Sequence, residues 1–293
     1  MLAPMTAAAA RTRGLRVGLA LLPADDDGTL EPFYADLLAG LEEELDRQGG
    51  TIFVQIVADL AAALVAFRRW SAEGLVDAIV VSDLVEDDPR EAVCAELALP
   101  AVLLGGTSAP GRWVVDYDNH GAMQTGVQFL TDLGHRRLGR VSGPLRYRHT
   151  RDRGTAFDVA VAAAGAVGVQ LEGDYGALSG AARTRELLAR PDRPTAIIYD
   201  NDLMALAGLH EAALQGIDVP RDLSVLAWDD TANSRTSHPP LSVVSRNVHD
   251  LGALTADVLL RALAGNVPTI ERTPGARVVA RASTAPAPPP SVP

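Results

Sequence analysis

Short apolar β runs alternating with amphipathic helical stretches predict an α/β protein of parallel sheets with helices on both faces. Two further observations agree with that class. Glycines follow several of the helical stretches, and acidic or amide residues follow several of the apolar runs. In open parallel sheets the position just past a strand is where ligands bind.

The first apolar run, 17–22, leads to a helical stretch over 35–48. There Leu37, Leu38, Leu41 and Leu45 recur at three- and four-residue steps, while Glu42, Glu43, Glu44 and Asp46 fill the other face. Gly49 and Gly50 stop this helix, because glycine takes the left-handed C-terminal conformation without steric cost. Strands follow at 52–57, 78–82, 101–104 and 114–117, with the helical EAVCAEL between the second and third of these. A helix over 123–133 ends at Gly134, where His135, Arg136 and Arg137 place cations near its negative end. Strands at 138–142, 195–199, 223–228 and 242–245 come next, among helices at 155–164, 182–189, 203–215 and 251–264. The closing ASTAPAPPPSVP is too rich in proline for a core element, and a disordered tail is expected over 285–293.

The length of 293 residues suits two lobes, and 47% hydrophobic residues suit a packed interior. Acidic residues exceed basic ones by 37 − 26 = 11, so the chain's own field repels a polyanion such as DNA. Arginine supplies every Lys/Arg cation, since the sequence holds no lysine. That removes a Walker-type phosphate loop, and no glycine-rich dinucleotide motif or G-x-S-x-G elbow appears either. The single cysteine, Cys94, excludes an internal disulfide and a cysteine-based zinc site. His210-Glu211 begins like a zinc-protease motif, but Leu214 stands where its second histidine belongs. The acidic Asp25-Asp26-Asp27-Gly28 lacks calcium-loop spacing and reads as a solvated turn. No metal, cofactor or catalytic residue is expected. Apolar runs stay short of membrane-spanning length, and MLAPMTAAAARTRG lacks the pattern of a secretory signal, so a cytoplasmic location is expected.

Three polar clusters follow strands: Asp116-Tyr117-Asp118-Asn119, Asp200-Asn201-Asp202 and Trp228-Asp229-Asp230. Each alone reads as a helix cap or a turn. Together, at equivalent places, they point to one shared polar cleft.

Several stretches then resemble the effector-binding region of the LacI/GalR transcriptional repressor family. They are EPFYADLLAGLEEELDRQGG, VVDYDNHGAMQTGVQFLTDLGHRRLGRVSGP, RPTAIIYDNDLMALAGLHEAALQGIDVPRDLSVLAWDDT and PPLSVVSRNVHDLGALTADVLLRAL, with ARVVARAST as a closing strand. The resemblance covers roughly residues 15–284. It implies a periplasmic-binding-protein-like type I fold, two Rossmann-like lobes joined by three crossovers. The N-terminal lobe is expected at 15–130 plus 246–273, and the C-terminal lobe at 131–245 plus 274–284. Residues 1–14 are expected to be a hinge-like remnant or disordered, and with no stretch that resembles the family's helix-turn-helix headpiece, a truncated regulator is expected.

The resemblance also implies site residues. Phe33 and Tyr34 are expected against the ligand, Asp118 as a first-lobe acid, and Arg151 as the arginine gripping the effector. Tyr175 would stack on the ligand, and Asn201 and Asp229 would face the cleft from strand ends. Arg146, Arg148 and Trp228 are further candidates. Asp202 is expected to cap the following helix, and Asp200 has no assigned role. The function implied is a non-enzymatic sensor of a small molecule, a saccharide by the chemistry of these groups. The expected partners are a second copy of the chain and, through a headpiece, operator DNA. A stand-alone solute-binding protein is the alternative.

Overall fold

The computed structural model describes residues 14–23, 31–105 and 111–289. The hinge-like stretch at 1–13, the acidic turn at 25–28 and the last residues, 290–293, lie outside the described residues.

The first lobe is built from β1 (Arg16–Leu21), α1 (Pro32–Asp46), β2 (Thr51–Ile56), α2 (Leu60–Ala72), β3 (Ala78–Val81), α3 (Pro89–Glu96), β4 (Ala101–Leu104) and β5 (Trp113–Asp116). The second follows with α4 (Asn119–Asp132), β6 (Arg137–Ser142), α5 (Arg148–Ala163), β7 (Val167–Glu172), α6 (Ala177–Leu188), β8 (Ala196–Tyr199), α7 (Asp202–Leu214), β9 (Ser224–Trp228), α8 (Ala232–Thr236) and β10 (Ser242–Ser245). The chain then returns to the first lobe with α9 (Val248–Leu263) and β11 (Ile270–Arg272), and ends in the second with β12 (Arg277–Val279).

Each lobe holds one six-stranded sheet, in the orders β11-β5-β4-β3-β1-β2 and β12-β10-β9-β8-β6-β7. Every pairing is parallel except that of β10 with β12. Central strands such as β3, β8 and β9 are buried along their whole length, as a sheet covered on both faces requires. Val17, Leu19 and Leu21 pack toward α1 and α9, while Ala20, on the other face of β1, joins the cluster under α2 and α3. This is the α/β type I architecture expected from the resemblance.

Four details differ from the sequence reading. The expected boundary at 130/131 assigns α4 to the first lobe. Instead its Met123, Val127 and Leu130 pack with Ile198, Leu226 and Val244 of the second sheet. The first crossover therefore lies before α4, and the others lie at 246–247 and 273–276. β7 was not expected, because it is a largely exposed edge strand interrupted by Gly168 and Gln170. His135 is no surface cation. It is buried among Thr195 Oγ1 at 2.9 Å, Ser224 Oγ at 3.1 Å and the Ala285 carbonyl at 3.1 Å, and burial holds it below the usual imidazole range. Arg136 meets the helix end instead, donating to the Thr131 carbonyl at 2.8 Å. The tail, expected to be disordered from 285, is docked at its start: Ala287 N–H donates to the Leu133 carbonyl at 2.8 Å.

Candidate functional site

Loops past the carboxyl ends of both sheets meet across a cleft and enclose a cavity of about 30 Å³. The first lobe contributes Glu31, Phe33 and Tyr34 beyond β1, Asp83 beyond β3 and Tyr117 beyond β5. The second contributes His149 and Arg153 from α5, Tyr175 beyond β7, and Asp200, Asp229 and Arg246 beyond β8, β9 and β10.

Fixed partners hold the cations. Arg246 grips Asp229 through Nη2 at 3.0 and 2.9 Å and Nε at 3.1 Å, and reaches Asn119 Oδ1 at 3.3 Å. Arg153 donates to Asn119 Oδ1 at 2.8 Å and to the Asp200 carbonyl at 3.2 Å. The Asp200 carboxylate is itself clamped by Arg140, at 2.9 and 2.5 Å, and both of these side chains are fully buried. A buried charge survives only when paired in this way.

The remaining carboxyls have no guanidinium in hydrogen-bond contact. Asp83 accepts from the Tyr34 hydroxyl, and Glu31 accepts from Asn201 Nδ2 at 3.3 Å. Burial first, then the nearby Asp83, pushes Glu31 up to about 8. Burial also raises Asp83. His149 is held well below the usual imidazole range by burial and then by Arg153, so it sits neutral, with Nε2 2.7 Å from the Tyr175 hydroxyl. Tyr147, His149 and Tyr175 form a stack, with neighbouring centroids 5.5 and 6.2 Å apart.

Backbone strain concentrates here too. Asp83, Tyr175 and Asp229 all line the cavity in the left-handed region, at φ of 50, 73 and 65°. Such conformations cost of order 1 kcal/mol or more for residues with a side chain, and they cluster where ligands bind. Chemically, the cleft offers acceptors and donors for hydroxyl groups beside aromatic faces. Ligand pockets commonly run to roughly 300–1,000 Å³, well above the volume enclosed here.

Residues 127–284 match the model of the periplasmic binding protein-like domain. The transcriptional regulator CelR of Thermobifida fusca is 30% identical over 244 residues, covering 80% of this chain and 71% of CelR. The chain belongs to the LacI family of regulators. A LacI family regulator from Bifidobacterium animalis subsp. lactis superposes with a TM-score of 0.84 at 34% identity, over 93% of this chain and 98% of that one. A CelR–cellobiose complex gives 0.84 at 26% identity, over 92% and 84%. A lac repressor dimer bound to operator gives 0.81 at 25% identity, over 94% and 96%.

With the family in hand, the expected site residues divide. Phe33, Tyr34, Tyr175 and Asp229 line the cavity. Asn201 caps α7, accepting from Met204 N–H at 3.0 Å, while its amide donates across the cleft to Glu31. The capping role expected of Asp202 thus belongs to Asn201. Asp202 instead accepts from Thr231 at 2.6 Å and Asn233 at 3.3 Å. Asp118 caps α4 and faces an open groove on the outside of the second lobe, away from the cavity. Trp228 lies beneath the cleft, its ring 4.2 Å from the Arg153 guanidinium. Arg146 lies over the Tyr147 ring at 4.6 Å.

Arg151 and Arg148 are outside the cavity. Arg151 pairs with Glu86 at 2.8 Å, with both side chains substantially exposed. The cavity arginine on α5 is Arg153, and helix geometry explains the difference. His149 and Arg153 are four residues apart and share a face, whereas Arg151, two from each, points about 200° away. Among the residues that the sequence reading missed, Asp83 carried the same signal as the three polar clusters, a carboxylate just past a strand. Arg246 likewise follows the strand at 242–245. Tyr117 lay inside the cluster at 116–119, while nothing local marked Glu31 or His149.

Proposed function

We propose that this chain is the effector-sensing core of a LacI-type regulator, closing its lobes around a saccharide. The observation that carries the reading is one cavity lined from both lobes by acids, arginines and aromatic rings, with Asn201 reaching Glu31 across it. Hydroxyl groups suit such partners, and the cellobiose complex of the related CelR favours a saccharide. Joined to a DNA-binding headpiece, the lobe angle would set headpiece spacing, with a coupling on the order of 1–3 kcal/mol. The core itself, at a net charge of −11, repels DNA. Because its relatives are regulators, the cleft is read as a sensor rather than a catalyst, working in the cytoplasm. No helix among the described residues is long and apolar enough to cross a membrane.

The chain is also read as a homodimer. The edge strand β2 exposes Phe53, Val54 and Ile56, α2 exposes Val65, and the packed pair α6 and α7 exposes Leu178 and Leu214. Apolar side chains left exposed on both lobes suit a partner that spans both.

A thermal-shift screen of mono- and disaccharides tests the sensor reading, since a ligand of the native state raises the melting temperature. At least one saccharide should stabilise the parent. Arg153→Ala and Asp229→Asn should each weaken that saccharide about tenfold or more, the first by removing a cavity cation and its bond to Asn119, the second by leaving the buried Arg246 without its counter-charge. A panel without effect on the parent, or unchanged affinity in both variants, refutes the reading.

A further inference from the structure

Beside the cavity, but not in it, a short segment of the first lobe bonds to the second. The backbone N–H of Arg148 donates to the Leu84 carbonyl at 2.8 Å, and its Nε donates to the Val85 carbonyl at 2.8 Å. Val85 and Tyr147 form an isolated antiparallel bridge. Arg151 Nη1 meets Glu86 Oε2 at 2.8 Å. All of these second-lobe groups belong to the first turn of α5 or the residue preceding it.

The segment itself is anchored to the first lobe. Arg90, 1% exposed, donates to the Asp83 carbonyl at 2.9 Å and grips Asp88 at 2.6 Å. Asp88 in turn accepts from Val85 N–H at 3.2 Å. At the other end, Asp83 receives the Tyr34 hydroxyl inside the cavity. One braced loop therefore presents Asp83 to the ligand space and, in its next three residues, grips the opposite lobe.

We propose that Leu84–Glu86 and the first turn of α5 form a clamp that couples occupancy of the cleft to lobe closure, with Arg148 and Arg151 as positioning residues. This rests on the effector-sensing reading for its biological purpose, but the clamp acts on lobe geometry alone. A shift of Asp83 toward a ligand carries Leu84, Val85 and Glu86 with it, because Arg90 and Asp88 brace the segment. The exposed Arg151–Glu86 pair contributes little by itself. The Arg148 Nε bond to the Val85 carbonyl contributes the larger side-chain share, while the backbone N–H bond to Leu84 persists in every side-chain variant.

The test places a fluorophore pair at Glu73→Cys in the first lobe and Val159→Cys in the second, both exposed, while the native Cys94 is buried. Single-molecule energy transfer is then read with no saccharide added. Arg148→Ala combined with Arg151→Ala should shift the ratio of closed to open molecules about fivefold or more toward open, with circular dichroism unchanged. Arg148→Lys, which keeps a donor for the Val85 carbonyl, should retain most of the closed population. A purely structural role would lower the melting temperature without this rescue. Should the double alanine variant keep the parent distribution, the clamp is overturned. A parent that binds no saccharide, together with variants that open, would overturn the sensor reading and leave the clamp standing.

Discussion

Glu31 combines burial, proximity to Asp83 and a single amide partner, and its carboxyl is pushed up to about 8. A carboxyl whose pKa is raised on folding binds more protons in the native than in the unfolded state. Its contribution to stability is therefore present at low pH and declines as pH rises from the ordinary glutamate value of 4.5 through about 8. His149 acts in the opposite sense: depressed on folding, it costs stability below its ordinary value of 6.5 and nothing above it. Between about pH 6.5 and 8 the Glu31 effect stands without opposition from His149. Stability of the parent should fall across that window, and Glu31→Gln should flatten the fall. Urea titrations at pH 6.5 and 8 read this directly; equal slopes in parent and variant would discard it. The same cleft shows how far single residues were legible. A polar residue past an apolar run marked Asn201 and Asp229. The choice of Arg151 over Arg153 failed because a sequence motif gives a position in the chain, whereas orientation follows the helical phase.

At the scale of elements, α1 and α9 pack so closely that glycine is required at both contact points. A Cβ on Gly40 would sit 1.9 Å from the His249 carbonyl oxygen, and one on Gly252 would sit 2.2 Å from the Leu37 carbonyl oxygen. Gly40→Ala should thus force the helices apart and cost about 1–3 kcal/mol. Gly275→Ala, whose Cβ meets nothing within 4 Å, is the control and should stay within about 0.5 kcal/mol of the parent. Equal unfolding midpoints for the two variants would count against a packing role for Gly40. The leucine spacing made α1 visible in the sequence, and Gly49 ends its final turn at φ 67° as the glycine pair implied. Its partner helix was visible too, but their contact was not, because a glycine inside a helix reads the same whether it is exposed or pressed against a backbone. Likewise α4 was found as a helix and placed in the wrong lobe, since its apolar face carries no label for the sheet it covers.

For the molecule as a whole, dimerisation is tested at β2, an edge strand with unpaired backbone groups beside exposed Phe53 and Ile56. The double variant Phe53→Glu/Ile56→Glu should sediment as a monomer where the parent sediments as a dimer; a parent that is already monomeric sinks the proposal. What the sequence determined by itself was local and periodic: the alternation of strand and helix, the glycine stops, and the polar residues at strand ends. These depend on neighbours within a few positions, so they can be read along the chain. The tertiary structure alone decided which charges meet. Arg140 finds Asp200 across 60 residues, and Asn201 finds Glu31 across 170. It also raised Glu31 and neutralised His149, because burial and field belong to the folded surroundings rather than to the residue. The stretch Asp200-Asn201-Asp202 holds both lessons. Its place past a strand marked the cleft, but only packing gave Asp200 its arginines, Asn201 its cap and cross-cleft bond, and Asp202 its threonine.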